Sequence, residues 1–166
     1  MTDDWRAMTP TDLGEVERIA AVVHPTHPED AAVFRERLSL YPAGCFVLDG
    51  AAGVRGYVLA HPWLLGRPPL LNSLLGRLPA DADTLYLHDL ALLPAARVAG
   101  LGSRAVDLIT DRARGEGVAT VSLLAVGRSA GFWKRQGFRA MDLGTDPSSY
   151  GTATFMVRLV NQNPNM

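Results

Sequence analysis

The stretch that decides the fold reads Leu90-Ala91-Leu92-Leu93-Pro94-Ala95-Ala96-Arg97-Val98-Ala99-Gly100-Leu101-Gly102-Ser103. An apolar run stops at a proline, which cannot donate to a sheet ladder. A loop with one arginine and two glycines follows. Val106, Ile109 and Ala113 then recur on one side of a helix expected from about Ser103 to Arg114, which Gly115 and Gly117 end. Another apolar strand is expected over 119–126. Strand, loop, helix and strand make a βαβ unit, so those two strands should be parallel with a right-handed crossover. The loop gathers unpaired backbone N–H groups at the positive end of the helix dipole, which suits a phosphate. Gly100 and Gly102 allow close backbone approach and positive φ, and Arg97 adds a permanent charge. A tight turn with no ligand is the competing reading.

Two other phosphate loops fit less well. Gly100-Leu101-Gly102-Ser103-Arg104-Ala105 formally matches the dinucleotide fingerprint. That fingerprint needs an acidic residue near the end of the next strand, and Thr120-Val121-Ser122-Leu123-Leu124-Ala125 has none. A Walker loop needs a lysine, and the only lysine of the chain is Lys134.

Working outward, Thr9-Pro10-Thr11-Asp12 is a helix-start cluster, with Leu13, Val16, Ile19, Ala20 and Val23 at helical spacing behind it. His24-Pro25 ends that helix. A second helix is expected to start near Pro28-Glu29-Asp30, with Val33, Phe34 and Leu38 on one face. Strands over 45–48 and 54–61, joined at Asp49-Gly50, read as an antiparallel hairpin. In the Pro- and Leu-rich segment after it, Leu70 to Leu75 is expected to form a short helix. A long strand is expected over about 84–93, a short helix around 129–135, and closing strands near 138–143 and 152–159.

The 166 residues fit one domain, taken as 1–160 with a frayed tail at 161–166. A hydrophobic fraction of 48% against 20% charged residues argues against disorder. A net charge of -1 favours neither nucleic acid nor an anionic membrane as partner. The strong preference for Arg over Lys is a mark of GC-rich bacterial genomes. Cys45 is the only cysteine, so no disulfide forms within the chain, and its apolar run suggests a buried structural thiol. The polar, acidic start has no signal-peptide pattern, and no apolar run reaches the ~18 residues of a membrane span. A cytoplasmic enzyme or binding module is expected.

A second segment favours a third reading of the loop. Ser129-Ala130-Gly131-Phe132-Trp133-Lys134-Arg135-Gln136-Gly137-Phe138 is a short helix with an aromatic pair, ending in Gly-Phe. Together with Arg97-x-x-Gly100-x-Gly102 at this separation, it resembles the GNAT superfamily of acyl-CoA N-acyltransferases. The resemblance is strong over residues 84–140 and looser elsewhere. His61-Pro62-Trp63 and His88-Asp89-Leu90-Ala91 resemble segments of a bacterial branch of that superfamily.

The resemblance implies an α/β fold with a mixed, mostly antiparallel sheet of six to seven strands, flanked by helices and with splayed parallel central strands. It implies acetyl-CoA as cofactor. The pantetheine arm would lie along Leu90, Ala91 and Leu92. The pyrophosphate would lie on Arg97, Val98, Ala99, Gly100, Leu101, Gly102 and Ser103, with Phe132 and Trp133 beside the cofactor. The implied activity is transfer of an acetyl or other short acyl group to an amine of a small molecule or protein, by direct attack. A non-catalytic acyl-CoA-binding module on the same fold is the alternative. Homodimerisation follows only by analogy with such folds.

His88 and Asp89 are the candidates for the base that must take a proton from the attacking amine. Successive strand residues face opposite sides, so only one of the two is expected to reach the acceptor, and His88 is expected to share a face with Tyr86 and Leu90. His88 is preferred because imidazole titrates near neutral pH. A satisfied core histidine is the competing reading for His88, and a structural hydrogen bond to a neighbouring loop is the one for Asp89. Many superfamily members carry a Tyr where this chain has Trp133, and an indole N–H is not a usable acid. Tyr150 is the nearest substitute by family layout, against a role as a packed or rim aromatic. Otherwise the thiolate, with a pKa of about 8.5, leaves unassisted. His24 and His27 read as solvated loop histidines, and no metal site is expected. Residues 62–83 read as a substrate lid or a simple surface helix.

Overall fold

The computed structural model describes residues 3–98, 100–144 and 153–161. The chain opens with a short strand, β1 (Asp4–Ala7), and two helices, α1 (Leu13–Val23) and α2 (Ala31–Leu40). Strands β2 (Cys45–Gly50), β3 (Gly53–Trp63) and β4 (Thr84–Leu92) follow, then α3 (Leu101–Glu116), β5 (Thr120–Ala125), α4 (Ala130–Arg135), β6 (Arg139–Ala140) and β7 (Thr154–Leu159). The seven strands form one sheet in the order β1-β2-β3-β4-β5-β7-β6. Among the described residues only β4 and β5 pair in parallel, as the βαβ reading requires; every other pair is antiparallel.

Alternation along the strands divides the core between the two faces of the sheet. Phe46, Val58, Ala60, Leu85 and Leu87 pack on Ala105, Val106, Ile109 and Ala113 of α3, with Trp133 and Phe138 in the same cluster. Cys45, Val47, Tyr57, Leu59 and Ala91 pack on Val16 and Ile19 of α1 and Phe34 and Leu38 of α2. Each such aliphatic or aromatic side chain contributes about 1.5–3 kcal/mol by leaving water. Among the described residues, no helix is long and apolar enough to cross a membrane.

Several expectations are corrected. The polar stretch Asp4–Ala7 is a strand; it lies at the sheet edge with mostly exposed side chains, so no apolar alternation marks it. Leu70 to Leu75 is not helical. That backbone is held instead by side chains of α2, the Leu75 and Gly76 amides donating to Glu36 and Arg37 donating to the Ser73 carbonyl. The strand expected over 138–143 shrinks to Arg139–Ala140. Helix α3 starts at Leu101, with Gly100 at φ 76° as its N-cap and Gly117 at φ 74° as its C-cap, conformations that favour glycine at both ends.

Two irregularities shape the middle of the sheet. The β4–β5 pairing is confined to Leu85↔Val121 and Tyr86↔Ser122, so the strands part beyond Tyr86. In the β3–β4 register, Leu59 faces Asp89 but Ala60 faces Leu87, which makes His88 the extra residue of a β-bulge.

Candidate active site

The bulge changes which way the strand points its side chains. Leu85 and Leu87 face α3. After the extra residue, Leu90 returns to the α3 side and Ala91 to the side of α1 and α2. His88 and Asp89 therefore both project toward α1 and α2, where their partners lie. The expectation that these successive residues face opposite sides is overturned, and so is the pairing of His88 with Leu90; Tyr86 and His88 remain on one side.

Each residue of the pair meets an oppositely ionisable group from the helical layer. His88 Nε2 lies 2.7 Å from Glu29 Oε1, both side chains being 7% exposed. His24 Nε2, at the C-cap of α1, lies 2.8 Å from Asp89 Oδ1, and the Tyr57 hydroxyl donates to Asp89 Oδ2. The hydrogen bond to Asp89 raises His24 above its ordinary range, against burial that lowers it. Burial, then the Asp89 charge, drives the Tyr57 phenol far upward, so it remains a donor. A cavity of about 220 Å³ opens here, lined among others by Glu17, His24, His27, Glu29, Phe34 and Asp89.

Deeper in the same layer lie two more buried polar groups. The His61 ring donates from Nδ1 to the Pro62 carbonyl at 3.0 Å, and burial pushes it down to about 3, so it is neutral. Arg37, with its side chain 1% exposed, pairs with Glu36 at 2.8 Å. Burial lowers its pKa while Glu29 and Glu36 oppose the shift.

On the other side of the bulge, residues 89–92 of β4 pair with β3 but have no partner on β5. The α3 N-terminus follows, with Gly100 as an N-cap that makes no side-chain hydrogen bond. Arg97 is exposed and donates from Nε to the Leu92 carbonyl at 3.0 Å. A Cβ on Gly102 would lie 3.2 Å from Phe132 Cζ, so glycine lets the α4 aromatic close against the first turn of α3. Ser103 Oγ accepts from Gln136 Nε2 at 2.9 Å, a second tie between the two helices. Trp133 lies inside the core, edge-on to Phe132 at 4.9 Å and to Phe138 at 5.4 Å. An open strand edge that leads into a glycine-bearing helix start fits an extended thioester arm ending in a pyrophosphate.

The sequence profile of the Acetyltransferase (GNAT) family matches residues 5–138. The chain belongs to that family. Comparison with curated protein sequences gives no match. Among solved structures, this GNAT chain is similar to Ard1 from Thermoplasma volcanium, at 20% identity and TM-score 0.76, covering 98% of this chain and 100% of that one. It is also similar to the GphF GNAT-like decarboxylase in complex with isobutyryl-CoA, at 19% and 0.79, covering 95% and 100%. A third similar structure is N-acetylglutamate synthase from Neisseria gonorrhoeae complexed with coenzyme A and N-acetyl-glutamate, at 20% and 0.67, covering 98% of this chain and 36% of that one. At these identities the likeness is one of fold.

Within this GNAT frame the residues singled out in the sequence fall into two groups. Leu90, Ala91 and Leu92 lie on the part of β4 that β5 leaves unpaired, Arg97, Val98, Gly100, Leu101, Gly102 and Ser103 lead into and begin α3, Phe132 lies against Gly102, and Trp133 packs in the core. His88 and Asp89 lie on the α1/α2 side. Ala99 and Tyr150 lie outside the described residues. The reading of His24 as a solvated loop histidine is overturned by its place at the C-cap of α1 and its bond to Asp89, and sequence reading missed Glu29 and Tyr57. His24 and Glu29 reach β4 across 65 and 59 positions of chain, and no local spacing signals such a contact. The one available hint was a histidine directly before the proline that ends α1, a place where an imidazole terminates a helix facing the sheet.

Proposed function

We propose that the protein is an acyl-CoA-dependent N-acyltransferase that moves an acetyl or other short acyl group to an amine of a small molecule or protein. The observation that carries this reading is the bulge at His88, which sets two carboxylate–imidazole pairs beside the part of β4 that β5 leaves unpaired. Acyl-CoA supplies an activated thioester. The backbone of Leu90 to Leu92 holds its arm, and the loop from Arg97 to Ser103 holds its pyrophosphate through N–H groups and the Arg97 charge. Phe132 closes the far side, with Trp133 packed in the core behind it.

An alkylamine has a pKa of about 10.4 in water, so a neutral attacking amine requires a group that takes its proton. His88 is that group in this reading, and Asp89, fixed by Tyr57 and His24, draws the ammonium form toward the cavity. Tyr150 is carried over from the family layout as the proton source for the departing thiolate, because Trp133 cannot serve. The His61-Pro62-Trp63 and His88-Asp89-Leu90-Ala91 segments support a place in the bacterial branch that carries them.

The test is thermal unfolding with acetyl-CoA, CoA and NAD in parallel, followed by CoA release across a panel of amines. Acetyl-CoA at a hundred times its Kd should stabilise the fold by about 2.7 kcal/mol. A shift with NAD alone overturns the reading. Stabilisation by acetyl-CoA without CoA release from any amine supports the non-catalytic binding module instead. His88→Ala should abolish most turnover and spare acetyl-CoA affinity.

A further inference from the structure

We propose that Glu29 is a positioning residue that ties the strap of residues 64–83 to His88, fixing the imidazole proton on Nε2 and leaving Nδ1 as the basic atom. This deepens the acyl-transfer reading and rests on it.

The argument begins with the two oxygens of Glu29. Oε1 lies 2.7 Å from His88 Nε2. Oε2 accepts the backbone N–H of Asn72, in the strap, at 3.2 Å. A carboxylate offers only acceptors. With both oxygens engaged, the proton of the His88 contact belongs to Nε2, and the lone pair of neutral His88 sits on Nδ1. The Glu29 side chain is as buried as the imidazole it holds, so its orientation is set by these two contacts rather than by solvent.

Asn72 is built to make this contact. It is the only non-glycine residue with positive φ among those described, at 56°, a region that asparagine tolerates better than other side chains. That turn aims its N–H at Glu29 while its Oδ1 accepts the Asp30 N–H at 2.7 Å. Two consecutive residues just before α2, the second its N-cap, are thus gripped by one strap residue. The remaining ties are also polar: Glu36 accepts from the Leu75 amide at 2.6 Å and the Gly76 amide at 3.0 Å, and Arg37 donates to the Ser73 carbonyl at 3.2 Å. Meanwhile Leu70, Leu71 and Leu74 point to solvent. Pro68 is buried, but around Asn72 the strap is held by hydrogen bonds, each worth about 0.5–1.5 kcal/mol net, while its leucines there stay outside the core. Its docking can therefore change without unfolding the core, and Glu29 passes that change to His88.

The decisive measurement is the tautomer of His88, read from imidazole nitrogen chemical shifts in the uniformly ¹⁵N-labelled full chain, assigned with His88→Gln. The wild type should show the Nε2–H form. Glu29→Gln keeps the shape but has one acceptor where two donors converge, so the tautomers should mix. In amine turnover, kcat should then fall on the order of 10- to 100-fold, a share of what a positioned base supplies, with acetyl-CoA affinity unchanged. Asn72→Gly keeps positive φ accessible but removes the grip on Asp30. It should lower kcat by about tenfold in the wild type and by less than about twofold in the Glu29→Gln background, the non-additivity expected of residues in one network.

An Nδ1–H wild type, a Glu29→Gln variant with wild-type tautomer and kcat, or additive effects of the two substitutions would each overturn the coupling. The tautomer needs no substrate, so the two failures are distinguishable. If no amine is acylated yet Glu29→Gln releases the Nε2–H form, the acyl-transfer reading fails and the strap contact stands. If acylation proceeds and Glu29→Gln is silent, the coupling alone fails.

Discussion

The hydroxyl of Tyr57 on β3 donates to Asp89 Oδ2 on β4, diagonally across the strand pair, since the residue directly opposite Tyr57 is Ala91. Only the bulge at His88 brings the Asp89 carboxylate to the face where this phenol is buried. Tyr57→Phe leaves one oxygen of a largely buried carboxylate without its donor. Such a loss costs about 1–3 kcal/mol, and urea unfolding should show the midpoint moving down with the slope unchanged.

The His24–Asp89 pair predicts a pH dependence. His24 is raised above its ordinary value, first by the Asp89 hydrogen bond. Its contribution is therefore fully present below the unfolded value of about 6.5 and is lost as the pH rises through the folded value. The unfolding free energies of wild type and His24→Gln should differ more at about pH 5.5 than at about pH 9. Equal differences at both would show that the pair is not ionic.

Gly100 and Gly102 should respond to alanine for different reasons. At Gly100 a Cβ meets nothing within 4 Å, but φ is 76°, so Gly100→Ala should cost about 1–2 kcal/mol in backbone strain. Gly102 is helical, where alanine is favoured by up to ~1 kcal/mol, but its Cβ would press on Phe132. Gly102→Ala should leave the melting temperature little changed and weaken acetyl-CoA binding, measured by calorimetry, as Phe132 shifts toward the cofactor cleft.

Cys45 is fully buried, and burial pushes its thiol up to about 12. The nucleophile in alkylation is the thiolate. Iodoacetamide should leave the native protein unmodified for hours at neutral pH and label it promptly in urea; mass spectrometry distinguishes the two.

The unit from β4 through α3 to β5 was legible because each of its signals is local. An apolar run, a proline, two glycines and a helical repeat act within one turn or strand of themselves. The same holds for α1, α2 and the β2–β3 hairpin. The bulge was not legible: nothing in Leu87-His88-Asp89 marks an extra residue, because the register is set by β3, more than twenty positions earlier. That single residue reversed the expected facing of Asp89. Residues 70–75 misled in another way. Their leucines resemble a helix face, but Glu36 and Arg37 supply the partners that a helix would have supplied to that backbone. Arg37 itself sits on the buried side of α2 next to Phe34 and Leu38, where charge would not be placed by periodicity alone.

The narrow join between β4 and β5 has a mechanical consequence. Below Leu85 and Tyr86, three buried hydroxyls form a clasp: Thr84 Oγ1 lies 2.8 Å from Thr120 Oγ1 and 3.0 Å from Ser122 Oγ. Above them the strands separate. The sheet is thus two leaves, β1 to β4 and β5 to β7, stitched at one end of a seam and spanned on one side by α3. Whatever occupies the open end bridges the leaves, and the angle between them becomes a property of the occupant as much as of the chain.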